Sequence, residues 1–409
     1  MYNTDNSNSS AKTEYKGIPT ALTERAKKFG HDIRESRREG AYIFDADNKK
    51  YVDGISASGI FNLGRKNAAI SNALKSAVRK TDQGNFPMIS IEKANLAKKL
   101  AAFAPGDLEC TVFSVIRGES IDFACKLARG YTGKKELVYV EGSSFGQTGF
   151  ALSLSDQKYK EKYGKLIPQV IKLPFGDLEA AEKLITTETA GLFIEPVQAE
   201  NGCRKAGADY LKGLRDICSK TGTLLIFDET QSGMGRAGAK FACEKAGVIP
   251  DVLVIGESLG AGMFPIAATL FTQELNKFMN AHPMIHLSTF GGSDIGCLTA
   301  AAALQEYERL TPWDNAEKTG KILINGFRIL MKETPDIIKS VQGDGLLIGL
   351  EFNDIDTAIA FCRNAAKNGL LVKTGEVMEE SVVIRPSLLI SPTDAEDILN
   401  ASKLALDAL

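Results

Sequence analysis

The sequence predicts an α/β protein with a mostly parallel sheet in a three-layer α/β/α large domain, plus a smaller α+β domain. Three observations lead there. Short apolar runs buried on both faces alternate with amphipathic stretches through the middle of the chain. The alternation restarts with a different spacing after about residue 313. Glycine is plentiful (38) and proline sparse (13), which suits many tight turns between packed elements.

Residues 1–14, rich in Asn and Ser, read as a disordered lead-in. The segment 15–65 is assigned to the N-terminal part of the small domain. Within it, Ala41-Tyr42-Ile43-Phe44, a turn over Asp45 to Asn48, and Tyr51-Val52 form a hairpin with Asp/Asn turn chemistry. The large domain spans 66–312. It opens with a helical stretch over 68–104, apolar at Ile70, Leu74 and Val78 and again at Leu96, Leu100 and Phe103. Strands follow at 110–115, 136–140, 168–172, 190–194, 223–227, 252–255 and 266–271, with helices at 119–132, 178–187, 208–221 and 297–310. The C-terminal small domain, 313–409, reads as helix 314–333, strand 346–352, helix 356–368 and strand 381–385.

Composition excludes several classes of function. Lys+Arg total 49 and Asp+Glu 51, a formal charge of −2, so there is no electrostatic case for nucleic acid or an anionic membrane surface. The seven cysteines (110, 125, 203, 218, 243, 297, 362) show no CxxC pairing and read as reduced, buried thiols. Only His31, His282 and His286 are present, too few for a His-rich metal site, so no metal is expected. The polar stretch Met1 to Glu14 lacks the apolar core of a signal peptide, and no apolar run approaches the ~20 residues of a membrane span. A cytoplasmic protein is expected.

In an open α/β sheet, ligands gather outside the carboxyl ends of the strands. Two segments put carboxylates there. Phe193-Ile194-Glu195-Pro196-Val197-Gln198-Ala199-Glu200 follows one buried strand, and Phe227-Asp228-Glu229-Thr230-Gln231-Ser232-Gly233 follows the next, with Gly235-Arg236 in the turn. A carboxylate in such a place can hold a protonated ring nitrogen or a substrate cation, or simply cap the next loop.

Several ordered motifs carry a resemblance over roughly residues 35–409. They are Gly40-Ala41-Tyr42-Ile43-Phe44-Asp45, Tyr51-Val52-Asp53, Asn62-Leu63-Gly64, Lys126-Leu127-Ala128-Arg129, Glu195-Pro196-Val197-Gln198, Asp228-Glu229-Thr230-Gln231-Ser232-Gly233, Ser288-Thr289-Phe290-Gly291-Gly292 and Arg385-Pro386-Ser387-Leu388. Together they resemble the class III (ornithine- and ω-amino-acid-type) aminotransferases, which bind pyridoxal phosphate on the fold type I scaffold. The resemblance implies that Asp228 faces the pyridine nitrogen and that Gln231 lies near the ring hydroxyl. It implies that Thr289 reaches the phosphate from the partner subunit of a homodimer with shared sites. Arg385 would take the substrate carboxylate, and Glu200 is a second candidate for binding substrate.

Three departures qualify this. Where the family carries its Schiff-base lysine, the run Ile255-Gly256-Glu257-Ser258-Leu259-Gly260-Ala261-Gly262 has Glu257, and a carboxylate forms no imine. Where the family has aromatic-His-Gly-x-Thr, Ser144-Phe145-Gly146-Gln147-Thr148 puts Ser144 at the ring-stacking place, with Phe145 as the available aromatic. The phosphate turn reads Ile116-Arg117-Gly118-Glu119-Ser120 instead of Ser-Gly-Thr-Glu-Ala. A cation at a helix N-terminus opposes the macrodipole, so Arg117 needs an anionic partner: a ligand phosphate or carboxylate, or a neighbour such as Glu119 or Glu141.

Three readings stay open. The first is an enzyme repurposed away from ordinary transamination. It would act on an anionic amino-acid-like substrate, clamped by Arg117 and Arg385, by condensation, cyclisation or elimination. Glu257 is its candidate base, and Asp228 is a coupled carboxylate. The second keeps pyridoxal or pyridoxamine phosphate bound non-covalently. The third is a non-catalytic partner or regulatory subunit.

Overall fold

The computed structural model describes residues 20–84, 88 and 90–409; the expected lead-in at 1–14 lies outside them. At the centre is a seven-stranded sheet of β1 (Cys110–Ser114), β2 (Glu136–Val140), β3 (Val170–Leu173), β4 (Thr189–Ile194), β5 (Leu224–Asp228), β6 (Val252–Ile255) and β7 (Ala267–Phe271). Their order is β1-β7-β6-β5-β4-β2-β3. Only β7 runs against its neighbours; the β2–β3, β2–β4, β4–β5 and β5–β6 pairs are parallel. β4, β5, β6 and β7 are buried along their whole length, as their unbroken apolar runs require of strands covered on both faces.

One core, with Val138, Leu192, Leu225, Leu253 and Leu304, lies on one side of the sheet. Another, with Ile121, Phe145, Phe193, Ile226 and Val254, lies on the other. The second is built largely by helix α1 (Arg117–Thr132), which begins just after β1 and ends at Gly133 in the left-handed conformation (φ 70°). The carboxyl ends of β1, β2, β4, β5 and β6 therefore deliver 115–119, 141–148, 195–200, 228–231 and 256–258 to one edge of the sheet.

The C-terminal region is an antiparallel sheet of Ile338–Asp344, Leu347–Phe352, Ser381–Ile384 and Lys373–Thr374. Helices Pro312–Glu333, Ile355–Lys367 and Pro392–Leu406 pack with it. The N-terminal meander Glu35–Glu39, Tyr42–Asp45 and Lys50–Asp53 gains a fourth, parallel strand, Leu370–Leu371. Phe29, Ala41 and Val52 share a core with Phe327, Phe352 and Phe361. Arg236, fully buried, joins distant parts of the chain. Its guanidinium donates to the Leu346 carbonyl (2.9 Å), the Pro386 carbonyl and Asn62 Oδ1 (2.6 Å).

Some elements differ from expectation. The stretch 68–104 is two helices, Ala68–Lys80 and Ile91–Phe103. Asn67 and Ser90 cap their N-termini, and Val78 is exposed. Glu35–Glu39, Gln273–Ala281, Ile338–Asp344 and Pro392–Leu406 were not foreseen. The first is exposed at all five residues and carries no apolar pattern to read. No helix among the described residues is long and apolar enough to cross a membrane.

Candidate functional site

The strand ends enclose a cavity of about 380 Å³. Ala57, Ser58, Ile116, Arg117, Gly118, Ser144, Gln147, Gln157, Glu200, Thr230, Gln231, Glu257, Ser258 and Glu376 contribute to its wall, and among the described residues no lysine does. Among the described residues no group of His, Cys, Asp and Glu is arranged to hold a metal ion.

Arg117 dominates the interior. It is the first residue of α1, and Ile116 before it offers no side-chain cap. Its Nε donates to Asp228 Oδ2 at 2.7 Å and its guanidinium to Glu195 Oε2 at 3.0 Å. All three side chains are withdrawn from solvent (12%, 0% and 2% exposed), so these are buried ion pairs and not surface contacts. Glu195 Oε1 accepts the Ser144 N–H (2.8 Å) and Asp228 Oδ1 accepts the Thr230 N–H (2.9 Å), which fixes both carboxylates. Burial pushes Glu195 up to about 7; the charge of Asp228 adds to this and Arg117 opposes it. Arg117 is held firmly cationic by the same two carboxylates, against the effect of burial.

Glu257 begins a short 3-10 turn after β6. Its Oε1 accepts the backbone N–H of Arg117 at 3.0 Å, so a carboxylate from β6 caps the N-terminus of α1. Gly256 permits this approach, because a Cβ there would lie 2.1 Å from Thr230 Cγ2. Thr230 and Ser258 contribute to the cavity wall, and their buried hydroxyl oxygens have no hydrogen-bond partner among the described residues.

A second ion pair lies deeper. Arg385 donates to Glu200 Oε1 (2.7 Å), Gln231 Oε1 (3.2 Å) and Ser58 Oγ (3.1 Å). Lys373 Nζ is 3.6 Å from Glu200 Oε2. Burial raises the Glu200 carboxyl, but the charges of Arg385 and Lys373 outweigh it and bring it down to about 2. Ser58 belongs to a stretch in which Ser56, Ala57 and Ser58 all have positive φ (45°, 47°, 63°), a left-handed turn made without glycine.

Sequence reasoning thus placed Arg117, Gly118, Ser144, Glu200, Gln231 and Glu257 on one cavity, with Asp228 and Arg385 behind it. Several expectations are corrected. Of the neighbouring carboxylates, those that meet Arg117 are Asp228 and Glu195, not Glu119 or Glu141. Glu119 instead accepts the Val115 N–H (2.7 Å), off the cavity wall. The carboxylate that shares a cation with Asp228 is Glu195, not Glu257. Phe145 is fully buried against Phe193, a core residue and not a ring-stacking one. Thr289 borders a separate small cavity with Lys93, Ser90 and Asp294, and the place expected for it, in the site of a partner subunit, lies outside a single chain. Glu195, Ser58, Gln157, Thr230 and Ser258 were missed as site residues. Glu195 carried a signal, its place directly after a buried strand.

The motifs imply pyridoxal phosphate, and the residues present do not fit it. Asp228, the partner for a ring nitrogen, is taken by Arg117 Nε, and the Arg117 N–H at the start of α1, where a phosphate would be held, is taken by Glu257. A Cβ on Gly146 would lie 2.9 Å from Gly118 Cα, so the 146–148 loop packs closely on the next residue of the turn, which still borders the cavity.

Comparison with known proteins gives the family. The class III aminotransferase model matches residues 25–406. An Archaeoglobus fulgidus protein described as an uncharacterized aminotransferase is 41% identical over 322 residues, 79% of this chain and 76% of that one. Among solved structures, acetylornithine aminotransferase from Elizabethkingia anophelis is 26% identical with a TM-score of 0.81, covering 95% of this chain and 99% of that one. An amine transaminase from an uncultivated Pseudomonas species, in its internal aldimine form with bound pyridoxal phosphate, shares the fold at 24% identity and a TM-score of 0.88, with 98% and 100% covered. Ornithine aminotransferase from Toxoplasma gondii does so at 24% and 0.87, with 92% and 90% covered. This chain belongs to the class III aminotransferase family, on the fold type I scaffold.

Proposed function

We propose that this member of the family is an enzyme turned away from ordinary transamination. It acts on an amino-acid-like substrate by acid/base chemistry, with Glu257 at the place of the Schiff-base lysine as its base. The observation that carries this reading is the placement of Glu257 on the cavity wall. One carboxylate oxygen is anchored by the Arg117 N–H, and Glu257 shares the cavity wall with Thr230 and Ser258. An anchored carboxylate on a cavity wall can take a proton from a bound substrate. The lining charges, Arg117 against Glu200, Glu257 and Glu376, favour the ammonium end of an amino acid beside Glu257. Its carboxylate reaches Arg385 only by displacing Glu200. Condensation, cyclisation and elimination are the reaction types this arrangement supports.

The test incubates the purified protein and Glu257→Gln with a panel of α- and ω-amino acids in D2O, with and without pyridoxal phosphate and 2-oxoglutarate, and follows products by NMR. Expected are deuterium incorporation or cyclised product with the wild type, its loss in Glu257→Gln, and no amino transfer. Amino transfer by the wild type defeats the reading. The protein is further proposed to be a cytoplasmic homodimer. A second reading, a non-catalytic subunit, is favoured by the exposed apolar side chains Met284, Leu287 and Phe290 flanking Thr289. Co-purification with a lysine-bearing relative tests it.

A further inference from the structure

We propose that Arg117 and Glu257 together stand in for the cofactor of this fold, so that this chain excludes pyridoxal phosphate from its cavity and keeps the space for another ligand. The reasoning is one of charge and of filled positions. A protonated pyridine ring brings one cation to a buried carboxylate, and its phosphate brings an anion to a helix N-terminus. Here the cation is the Arg117 guanidinium, at 2.7 Å from Asp228 and 3.0 Å from Glu195. The anion is the Glu257 carboxylate, at 3.0 Å from the first N–H of α1. Both substitutes are tethered to the chain, so they occupy their positions without the entropic cost of capturing a free molecule.

Displacement would be unfavourable at each end. Moving Arg117 away leaves Asp228 and Glu195 to share one ring proton. Moving a phosphate toward α1 brings it against the Glu257 carboxylate, and Gly146 and Thr148 pack closely on Gly118 beside it. The two substitutions also depend on one residue. The Arg117 side chain satisfies the carboxylates of β4 and β5, while its own N–H holds Glu257 of β6. Restoring a lysine alone therefore does not restore the site, since Arg117 still holds Asp228. What remains is the 380 Å³ cavity, which Arg117 and Glu257 line together with Thr230, Ser258, Gln231 and Ser144.

The test uses 4′-deoxypyridoxine 5′-phosphate, which keeps the ring nitrogen and phosphate but lacks the aldehyde and so ignores surface lysines. Binding is measured by calorimetry to the full-length wild type, to Glu257→Lys, and to the triple variant Arg117→Gly/Glu195→Gln/Glu257→Lys, in which Asp228 is left to pair with a ring and the first N–H of α1 is freed for a phosphate. Expected are no saturable binding to the wild type or to Glu257→Lys, and a gain on the order of tenfold or more (about 1.4 kcal/mol) in the triple variant. One equivalent bound to the wild type overturns the proposal whether or not any variant folds. A folded triple variant that gains nothing overturns it too. Neither result bears on whether Glu257 serves as a base, which the D2O exchange reads separately.

Discussion

Arg117 Nε and Asp228 Oδ2 lie 2.7 Å apart although 111 residues separate them in the chain. The pair, with Glu195 as its third member, joins the start of α1 to the ends of β4 and β5, and so ties the cavity floor to the central sheet. Removing the cation leaves two carboxylates uncompensated in a dry site. Arg117→Met should therefore destabilise the protein by about 3–5 kcal/mol. Urea unfolding measures the loss, and adding Asp228→Asn and Glu195→Gln to the variant should recover most of it. A loss below about 1 kcal/mol would mean that water reaches the pair freely.

Glu195 makes stability depend on pH in an unusual direction. Its carboxyl rises from an ordinary 4.5 to about 7 in the folded protein, so between those values the native state holds a proton that the unfolded chain has released. Stability contributed by this group is full below 4.5 and is lost as pH rises toward 7. The wild-type melting temperature should fall relative to Glu195→Gln as pH is raised through this window. Parallel curves for the two proteins would contradict it.

Glu200 acts oppositely. Its carboxyl is lowered from 4.5 to about 2, so its contribution is present above 4.5 and is lost as pH falls from 4.5 toward 2. Arg385→Met removes the cation chiefly responsible. That variant should unfold at a distinctly higher pH than the wild type in an acid titration followed by circular dichroism, whereas Lys373→Met should shift the transition less.

Ala57 has φ 47° and ψ 49°, and it is exposed between buried Ser56 and half-buried Ser58. Ala57→Gly should raise stability by roughly 1 kcal/mol. Ser58→Gly should gain less, because it gives up the bond from Arg385. Chemical denaturation of both variants checks the order.

The seven strands of the central sheet could be read from the chain because β4 to β7 are covered on both faces and β1 to β3 still carry short apolar runs, each ending in turn chemistry. Ile338–Asp344 could not, since its Lys339, Ser340, Gln342 and Gly343 alternate with only a few buried residues. Pro392–Leu406 carried a legible start, Ser391 with Asp394 in a capping box, but its apolar face is mostly alanine. For the site, the strand-end carboxylates and the odd Arg117 were visible as single residues. Their pairing was not. Glu195 lies 78 residues from Arg117, and which of several carboxylates meets a given cation is settled by sheet order rather than by spacing. Phe145 shows the converse: its neighbours in sequence point to the cavity, but it lies opposite Phe193, within the packing under the sheet.

The buried Arg236 has a consequence for how the molecule comes apart. One guanidinium binds oxygen atoms from residues 62, 346 and 386, and no carboxylate lies among its partners to neutralise it if those oxygens leave. Undocking the C-terminal region would strand that charge in an apolar seam. The two ends of the chain and its middle should therefore melt in a single transition, and a protease should find no intermediate in which one half survives the other.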